Sequence, residues 1–475
     1  MNQHDIEPLL TAIREKMRQE QLPALAIAAF ERQVRELARG QTGLIGDHQL
    51  QSLSEVRRLE ALPESPDSSA LTMSQCVLIK LNGGLGTSMG LNQAKSLLPA
   101  RSDQTFLDLI ARQVLHQRQQ HQVALPLILM NSFSTEQDSL ARLAAYPDLA
   151  TGQNGIPVSF RQHKVPRLAV DTLKPIDWPT DPAREWCPPG HGDLYTALVT
   201  TGLLDELLDR GLRYAFVSNA DNLGARLEPR ILALMHREQP AFLMEVTDRT
   251  VADRKGGHLA RDLNGRLLLR ESAQCPPDDQ AAFRDIQRHR FFNTNNLWLN
   301  LEQLKARLDA NHGLLDLPLI RNRKHVIPDD PATPAVYQLE TAMGSAIECF
   351  DNAQVVAVPR QRFAPVKTTA DLLVLWSDRY RVTPAGWVEP QTDTPLTLDL
   401  DPRHYASIDQ FRDRFPTGAP SLIHAHTLSL HGDIRFESGV TIKGHVHLQN
   451  PSDTPRLITA GSVLQDIDER EQPQT

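Results

Sequence analysis

The chain has 475 residues, with 50 Lys and Arg against 58 Asp and Glu, a formal charge of −8 and a hydrophobic fraction of 40%. That apolar content excludes wholesale disorder, and the acidic balance argues against a nucleic-acid binder, whose phosphate contacts need clustered Lys and Arg. The length predicts either several domains or one large core with attachments.

The N-terminus, Met1-Asn2-Gln3-His4-Asp5, has no basic stretch, so a signal peptide is not expected. Ile6, Leu9, Leu10, Ile13 and Met17 recur at helical spacing, as does the segment Ala26 to Leu37, and residues 1–72 read as an N-terminal helical region. Pro63, Pro66 and a Ser-rich stretch break that pattern. Residues 73–385 then alternate short apolar runs with helical periods, the texture of an α/β domain on a mostly parallel sheet. Strands are predicted at Cys76–Ile79, Leu125–Met130, Tyr214–Ser218 and Phe242–Val246. Between the first two, Thr105-Phe106-Leu107-Asp108 predicts a capping box opening a helix. Ligands of such sheets gather at the carboxyl ends of the strands.

From residue 386 to 475 the helical periods fade into short alternating stretches separated by Gly432, Gly439, Gly444 and Pro451. This predicts a stacked β-helix or a small β-sandwich, serving packing or assembly, with a frayed polar tail from Asp468 to Thr475. No apolar run approaches the ~18–20 residues of a membrane helix, so no membrane association is expected. The basic run Arg321-Asn322-Arg323-Lys324-His325 lacks interleaved aromatics, so no nucleic-acid partner is expected. Cys76, Cys187, Cys275 and Cys349 lie far apart without a Cys-x-x-Cys pair. They predict neither zinc nor disulfides, and a reducing, cytoplasmic location.

The densest chemical signal is Lys80-Leu81-Asn82-Gly83-Gly84-Leu85-Gly86-Thr87-Ser88-Met89-Gly90, directly after the first strand. Glycines let a ligand approach the backbone and let several N–H groups face one anion. The spacing is neither a P-loop nor a dinucleotide fingerprint, so alone it reads as a nucleotide site or a structural turn. Lys95 follows it, placed to neutralise phosphate or simply solvated. Pro188-Pro189-Gly190-His191-Gly192-Asp193 opens a helical stretch from Leu194 to Leu208, with Asp193 as its cap and His191 beside open backbone. Ser218-Asn219-Ala220-Asp221-Asn222-Leu223-Gly224 ends the third strand, where Asp221 offers hard oxygen for Mg²⁺ or makes an Asx turn. Phe291 to Trp298 concentrates amides beside aromatics, as a site reading sugar hydroxyls would. Lys367, in Arg362-Phe363-Ala364-Pro365-Val366-Lys367, follows an apolar strand at Val355–Val358.

Read together, these segments resemble the UDP-glucose pyrophosphorylase family of the eukaryotic type, from about Cys76 to Tyr380 and in the family's order. The resemblance also covers Leu129-Met130-Asn131-Ser132-Phe133, Ala252-Asp253-Arg254-Lys255-Gly256-Gly257 and Gln338-Leu339-Glu340-Thr341-Ala342-Met343-Gly344. It implies a nucleotidyltransferase-type, Rossmann-like mixed sheet with an N-terminal helical region and a C-terminal left-handed β-helix, the latter a candidate surface for self-association. It implies transfer of a uridylyl group from UTP to glucose 1-phosphate, giving UDP-glucose and pyrophosphate, with Mg²⁺ as cofactor. By the same resemblance Leu81, Asn82, Gly83, Gly84, Met130, Gln162 and Gly190 would hold the nucleotide. Lys95 and Lys367 would contact phosphates, Asp221 would bind Mg²⁺, and His191, Asn219 and Asn295 would face the sugar phosphate. Two departures stand out: Gln93-Ala94 replaces the family's Gly-Pro, and Arg161-Gln162-His163-Lys164 replaces its Gln-Ser segment.

The rivals are a broader UDP-sugar or UDP-N-acetylhexosamine pyrophosphorylase of the same fold, disfavoured by Ser88-Met89 where the latter carries Arg-Leu. A non-catalytic nucleotide-sugar sensor would have lost a phosphate lysine or the metal aspartate, and this chain keeps all three. A dehydrogenase reading rests on the Gly-rich loop alone.

Overall fold

The computed structural model describes residues 3–64, 69–101, 103–150, 152, 155–250, 253–328 and 330–470. Pro66, Ala252 and residues 471–475 of the polar tail lie outside them. The architecture is mixed α/β. Across the central sheet the strands run Arg57–Arg58, Gln354–Ala357, Phe242–Asp248, Phe291–Asn300, Tyr214–Asn219, Cys76–Asn82, Leu127–Asn131, Ser159–Arg161. Along this path Phe291–Asn300 alone runs against its neighbours; every other pairing is parallel.

The apolar runs are continuous because both faces of the sheet are covered. Side chains alternate between faces, so Leu78, Phe216, Leu243 and Trp298 enter one core while Val77, Ile79, Ala215, Val217, Met244 and Leu297 enter the other. Thr105 caps the helix Phe106–His121: its hydroxyl accepts from the Asp108 N–H, and the Asp108 carboxylate accepts from the Thr105 N–H at 2.6 Å.

Several expectations change. Among the described residues up to 72, the α-helices are Gln3–Gln19, Ala24–Ala38 and the start of Ser69–Ser74. After the second of these Gly40 and Gly43 take positive φ, and the chain becomes extended. Leu50–Ser52 then pairs with Ala260–Asp262, and Arg57–Arg58 becomes an edge strand of the central sheet. The stretch Leu194–Leu208 is two helices, Asp193–Thr200 and Leu203–Asp209, parted by Gly202 at φ +72°. Nor is Asp193 a cap. Gly192 holds that position, and the Asp193 carboxylate instead accepts from the His163 N–H at 2.7 Å and meets its ring nitrogen at 2.9 Å.

In the C-terminal part Thr397–Leu400, Ser421–His431, Thr441–Gln449 and Val463–Asp468 form one parallel sheet, and Ile434–Phe436 pairs parallel with Arg456–Ile458. The register stacks Leu428 on Val446 and Val446 on Ile467, the arrangement of parallel rungs with an apolar interior. Asp468 of the polar tail closes the last strand rather than fraying. One hydrophobic core runs from Phe106 and Leu129 through Leu372, Phe411 and Phe415 to Phe436 and Ile458, crossing residue 386 without interruption.

Candidate active site

The carboxyl ends of Cys76–Asn82, Leu127–Asn131 and Tyr214–Asn219 open onto a cavity of about 270 Å³. Leu81, Asn82, Gly83, Gly84, Lys95, Met130, Gln162, Gly190, His191, Asn219 and Asp221 all line it, with Ser96, Pro188 and Ala220. Parallel strands in register place their ends side by side, which is why motifs far apart in sequence converge here.

The Gly-rich loop folds back on the segment carrying Lys95. Gly84 O accepts from the Lys95 N–H at 3.1 Å, and Gly86 N donates to Gln93 O at 3.2 Å, so Gln93-Ala94 supports the turn. Glycine is required at Gly190, whereas a side chain at Gly83 would have to push the flexible Gln162 amide aside. A Cβ on Gly83 would lie 2.6 Å from the Gln162 amide, and one on Gly190, at φ +82°, would lie 2.4 Å from Thr341 O. Asn82 turns its amide nitrogen inward to Asn131 and Ser139, each at 2.7 Å.

The floor is charged. Lys95 Nζ donates to Asp221 Oδ2 at 2.7 Å, whereas Asp221 Oδ1 is buried and finds no hydrogen-bond partner among the described residues. Ser96 Oγ, fully buried, is likewise unpartnered. The His191 ring accepts from the Met343 N–H through Nδ1 at 2.9 Å, which leaves the proton on Nε2. Burial pushes its pKa down to about 4, so the imidazole is neutral at pH 7.

Lys367 does not line this cavity. It lines an adjoining one of about 560 Å³ with Asp253, Lys255, Phe292, Arg360 and Asp371. The two are joined through the backbone: Val366 N donates to Asp221 O at 3.2 Å, and Asn222 bridges Pro365. Asn295 lines neither. It sits at φ +57° in the bulge of Phe291–Asn300 and accepts from Asn293 Nδ2 at 2.8 Å. Asn219 and Asn295 each stand two residues beyond the last ladder pair, Val217 with Leu297, so they flank the same end of adjacent strands.

Behind the floor lies a buried polar layer. Lys80 Nζ donates to Ser218 Oγ at 2.7 Å and Ala225 O at 3.0 Å, and burial, then the Arg362 charge, push its pKa down to about 7. Glu245 holds Arg362 in a two-pronged pair at 2.6 and 2.9 Å and accepts from Trp298 and Asn296. Asn222 and Lys255 lie inside motifs legible in the sequence, but with no role attached to them. Ser96 and Arg360 have adjacency to a motif as their signal.

The family described as UTP–glucose-1-phosphate uridylyltransferase matches residues 27–443. An enzyme of that name from Solanum tuberosum is 38% identical over 417 residues, covering 86% of this chain and 84% of the relative. One from Saccharomyces cerevisiae is 37% identical over 416 residues, covering 87% and 81%. Among solved structures, UDP-glucose phosphorylase from Trypanosoma brucei superposes with a TM-score of 0.90 at 43% identity, covering 97% of this chain and 99% of that one. A variant of UDP-glucose pyrophosphorylase from Leishmania major, in complex with UDP-glucose, gives 0.90 at 42%, covering 97% and 98%.

Proposed function

The chain belongs to the UTP–glucose-1-phosphate uridylyltransferase family, and from that premise we infer how its site performs the family's reaction. The protein is a nucleotidyltransferase: it forms UDP-glucose and pyrophosphate from UTP and glucose 1-phosphate. A phosphate oxygen of glucose 1-phosphate bonds to the α-phosphorus of UTP, and the bond from that phosphorus to the β-phosphate oxygen breaks. Pyrophosphate leaves with its electron pair.

The second pKa of a phosphate monoester is about 6, so the nucleophile is already mostly dianionic at pH 7 and needs no general base. The barrier is the mutual repulsion of two polyanions. On our reading Lys95 and Lys367 neutralise phosphate oxygens from two sides, while Leu81 to Gly84, Met130, Gln162 and Gly190 hold the nucleotide. Neutral His191 offers its Nε2–H, and Asn219 and Asn295 flank the sugar phosphate. Such catalysis is positioning plus preorganised charge.

The residues present suit Mg²⁺. Among the described residues no cluster of three or more His, Cys, Asp or Glu gathers for a metal, but Mg²⁺ is commonly held by one or two carboxylates together with substrate phosphates. Asp221 Oδ1, buried and unpartnered, is the atom left for it. When bound, the ion would screen phosphate charge. The pairing of Lys95 with a half-satisfied Asp221, on the floor of a Gly-walled cavity, carries this reading.

Three finer points belong to the same proposal. The C-terminal rungs wind as a left-handed β-helix, supported by their parallel register and Gly turns. Exposed Leu457 and Val463, 54% and 58% accessible, support self-association through that end. Four free thiols, three of them buried, support a reducing, cytoplasmic location, and among the described residues no helix is long and apolar enough to cross a membrane.

The test is pyrophosphate release from UTP with a panel of sugar 1-phosphates, in Mg²⁺ and in EDTA. Release that needs Mg²⁺ and prefers glucose 1-phosphate is expected. Equal rates in EDTA would overturn the metal reading, and preference for an N-acetylhexosamine 1-phosphate would favour the rival specificity.

A further inference from the structure

Asp221 and Lys367 come from segments about 145 residues apart in sequence, yet the reaction proposed above needs their charges at a fixed separation. Beside the backbone bond from Val366 N to Asp221 O and the bond from the Arg362 guanidinium to Arg226 O, one side-chain amide gathers the junction. Asn222 is 1% exposed, and all of its amide's hydrogen-bonding directions are spent on this junction. Its Nδ2 donates to Arg362 O at 3.1 Å and to Asn296 Oδ1 at 3.2 Å, and its Oδ1 accepts from the Ala364 N–H at 3.0 Å and the Gly224 N–H at 3.2 Å. The backbone N–H partners fix which end is oxygen, and the carbonyl partner fixes which end is nitrogen.

Those four bonds join three segments. Gly224 closes the loop that carries Asp221. Arg362 O and Ala364 N begin the segment that ends at Lys367, and Asn296 follows Asn295 in the neighbouring strand. Arg362 is itself held from behind by Glu245, so the far side of the junction is rigid. Asn222 lines neither cavity, which separates it from the residues that would touch substrate.

We propose that Asn222 is a positioning residue: through the one amide it sets the Asp221 loop against the Lys367 segment, so that the cations are in place before the phosphates arrive. The proposal rests on the reading of Lys367 and Asp221 given above. At position 222 a carboxylate would lack the two donors and an alanine all four bonds. Asn222→Asp would set an oxygen against Arg362 O and Asn296 Oδ1.

The experiment compares Asn222→Ala, Asn222→Ser and Asn222→Asp, alone and combined with Lys367→Ala, by kcat, KM for each substrate, Mg²⁺ titration and thermal unfolding. Displacing a charged group by about 1 Å costs on the order of 10²-fold in rate. The expected result is a loss of that order in kcat for Asn222→Ala and Asn222→Asp, with the larger part in kcat rather than KM and a raised Mg²⁺ requirement. In the double variant the losses should not multiply, because a misplaced lysine and an absent one leave the same gap. Thr105→Ala, a helix-cap change away from the site, serves as the control for destabilisation alone and should leave kcat unchanged. An Asn222→Ser enzyme that folds and keeps kcat within about twofold of the parent overturns the proposal, as does full multiplication of the two losses. Full activity in Lys367→Ala alone would retire the phosphate reading of that lysine; the Mg²⁺ titration of the Asn222 variants then tests the hold on Asp221 separately.

Discussion

At the scale of single residues the cavity lining holds some of the buried polar atoms that find no partner among the described residues. Buried polar groups are nearly always paired, so Asp221 Oδ1 and Ser96 Oγ, both in the lining of the cavity, are the atoms that the proposed ligands would satisfy. Asp221→Asn keeps the shape and removes the charge. Its expected effect is a higher Mg²⁺ requirement with little change in unfolding temperature; an unaltered Mg²⁺ titration counts against the assignment. His191 gives a second test. Its pKa is pushed by burial from 6.5 to about 4, so an unfolded chain takes up a proton before the folded one does. The stabilisation from neutral His191 is therefore complete above about pH 6.5 and is lost as pH falls toward 4. Imidazole NMR shifts for His191 should show the Nε2–H form unchanged from pH 8 to about pH 5, and a midpoint near 6.5 would contradict the buried hydrogen bond to Met343. Of the residues that line the cavity, Leu81 to Gly84, Asn219 and Asp221 were legible as motifs at strand ends, whereas Met130, Gln162 and Gly190 were named through the family resemblance and Ser96 carried no signal of its own. Lys367 was legible as a lysine but not as the occupant of an adjoining cavity, since its placement depends on the junction at Asn222 and not on local spacing.

At the scale of elements, turns and caps decide what each side chain reaches. Thr105 and Asp108 announce their helix in four residues, because both partners of a capping box lie within one turn. Thr105→Ala should cost about 0.5–2 kcal/mol of stability, read by denaturant unfolding, without changing the rate. Gly190 is the opposite case. Its positive φ and the Thr341 carbonyl 2.4 Å from a would-be Cβ make Gly190→Ala a displacement of the whole wall that carries His191. Raised KM for UTP and reduced kcat are expected, and wild-type kinetics would show that the wall yields harmlessly. Local sequence is a poor guide where a long-range partner displaces a local one. Asp193 has a cap's composition, but Gly192 takes the cap position and the His163 N–H and ring claim the Asp193 carboxylate from 30 residues away. Leu50–Ser52 and Arg57–Arg58 carry too few residues to show a strand period, and only pairing with Ala260–Asp262 and Val356–Ala357 makes them strands.

At the scale of the molecule, one core joins the sheet to the C-terminal rungs. Phe415 stacks on Phe436 at 5.2 Å, and the Tyr405 hydroxyl donates to Ile434 O at 2.7 Å. A chain cut after residue 385 would expose that surface and is expected to aggregate, while the intact protein should melt in one transition; a soluble, active 1–385 fragment would show that the rungs are dispensable. In the mechanism proposed above, catalysis is the cancellation of phosphate repulsion by charges fixed in advance. The rate of pyrophosphate release by the Lys95→Ala, Lys367→Ala double variant, at saturating UTP, glucose 1-phosphate and Mg²⁺, tests it most directly. Each lost cation should cost about 2–4 kcal/mol of transition-state stabilisation, so the account predicts a rate reduced at least a thousandfold in a protein that still folds, whereas a folded double variant with a near-normal kcat would contradict it.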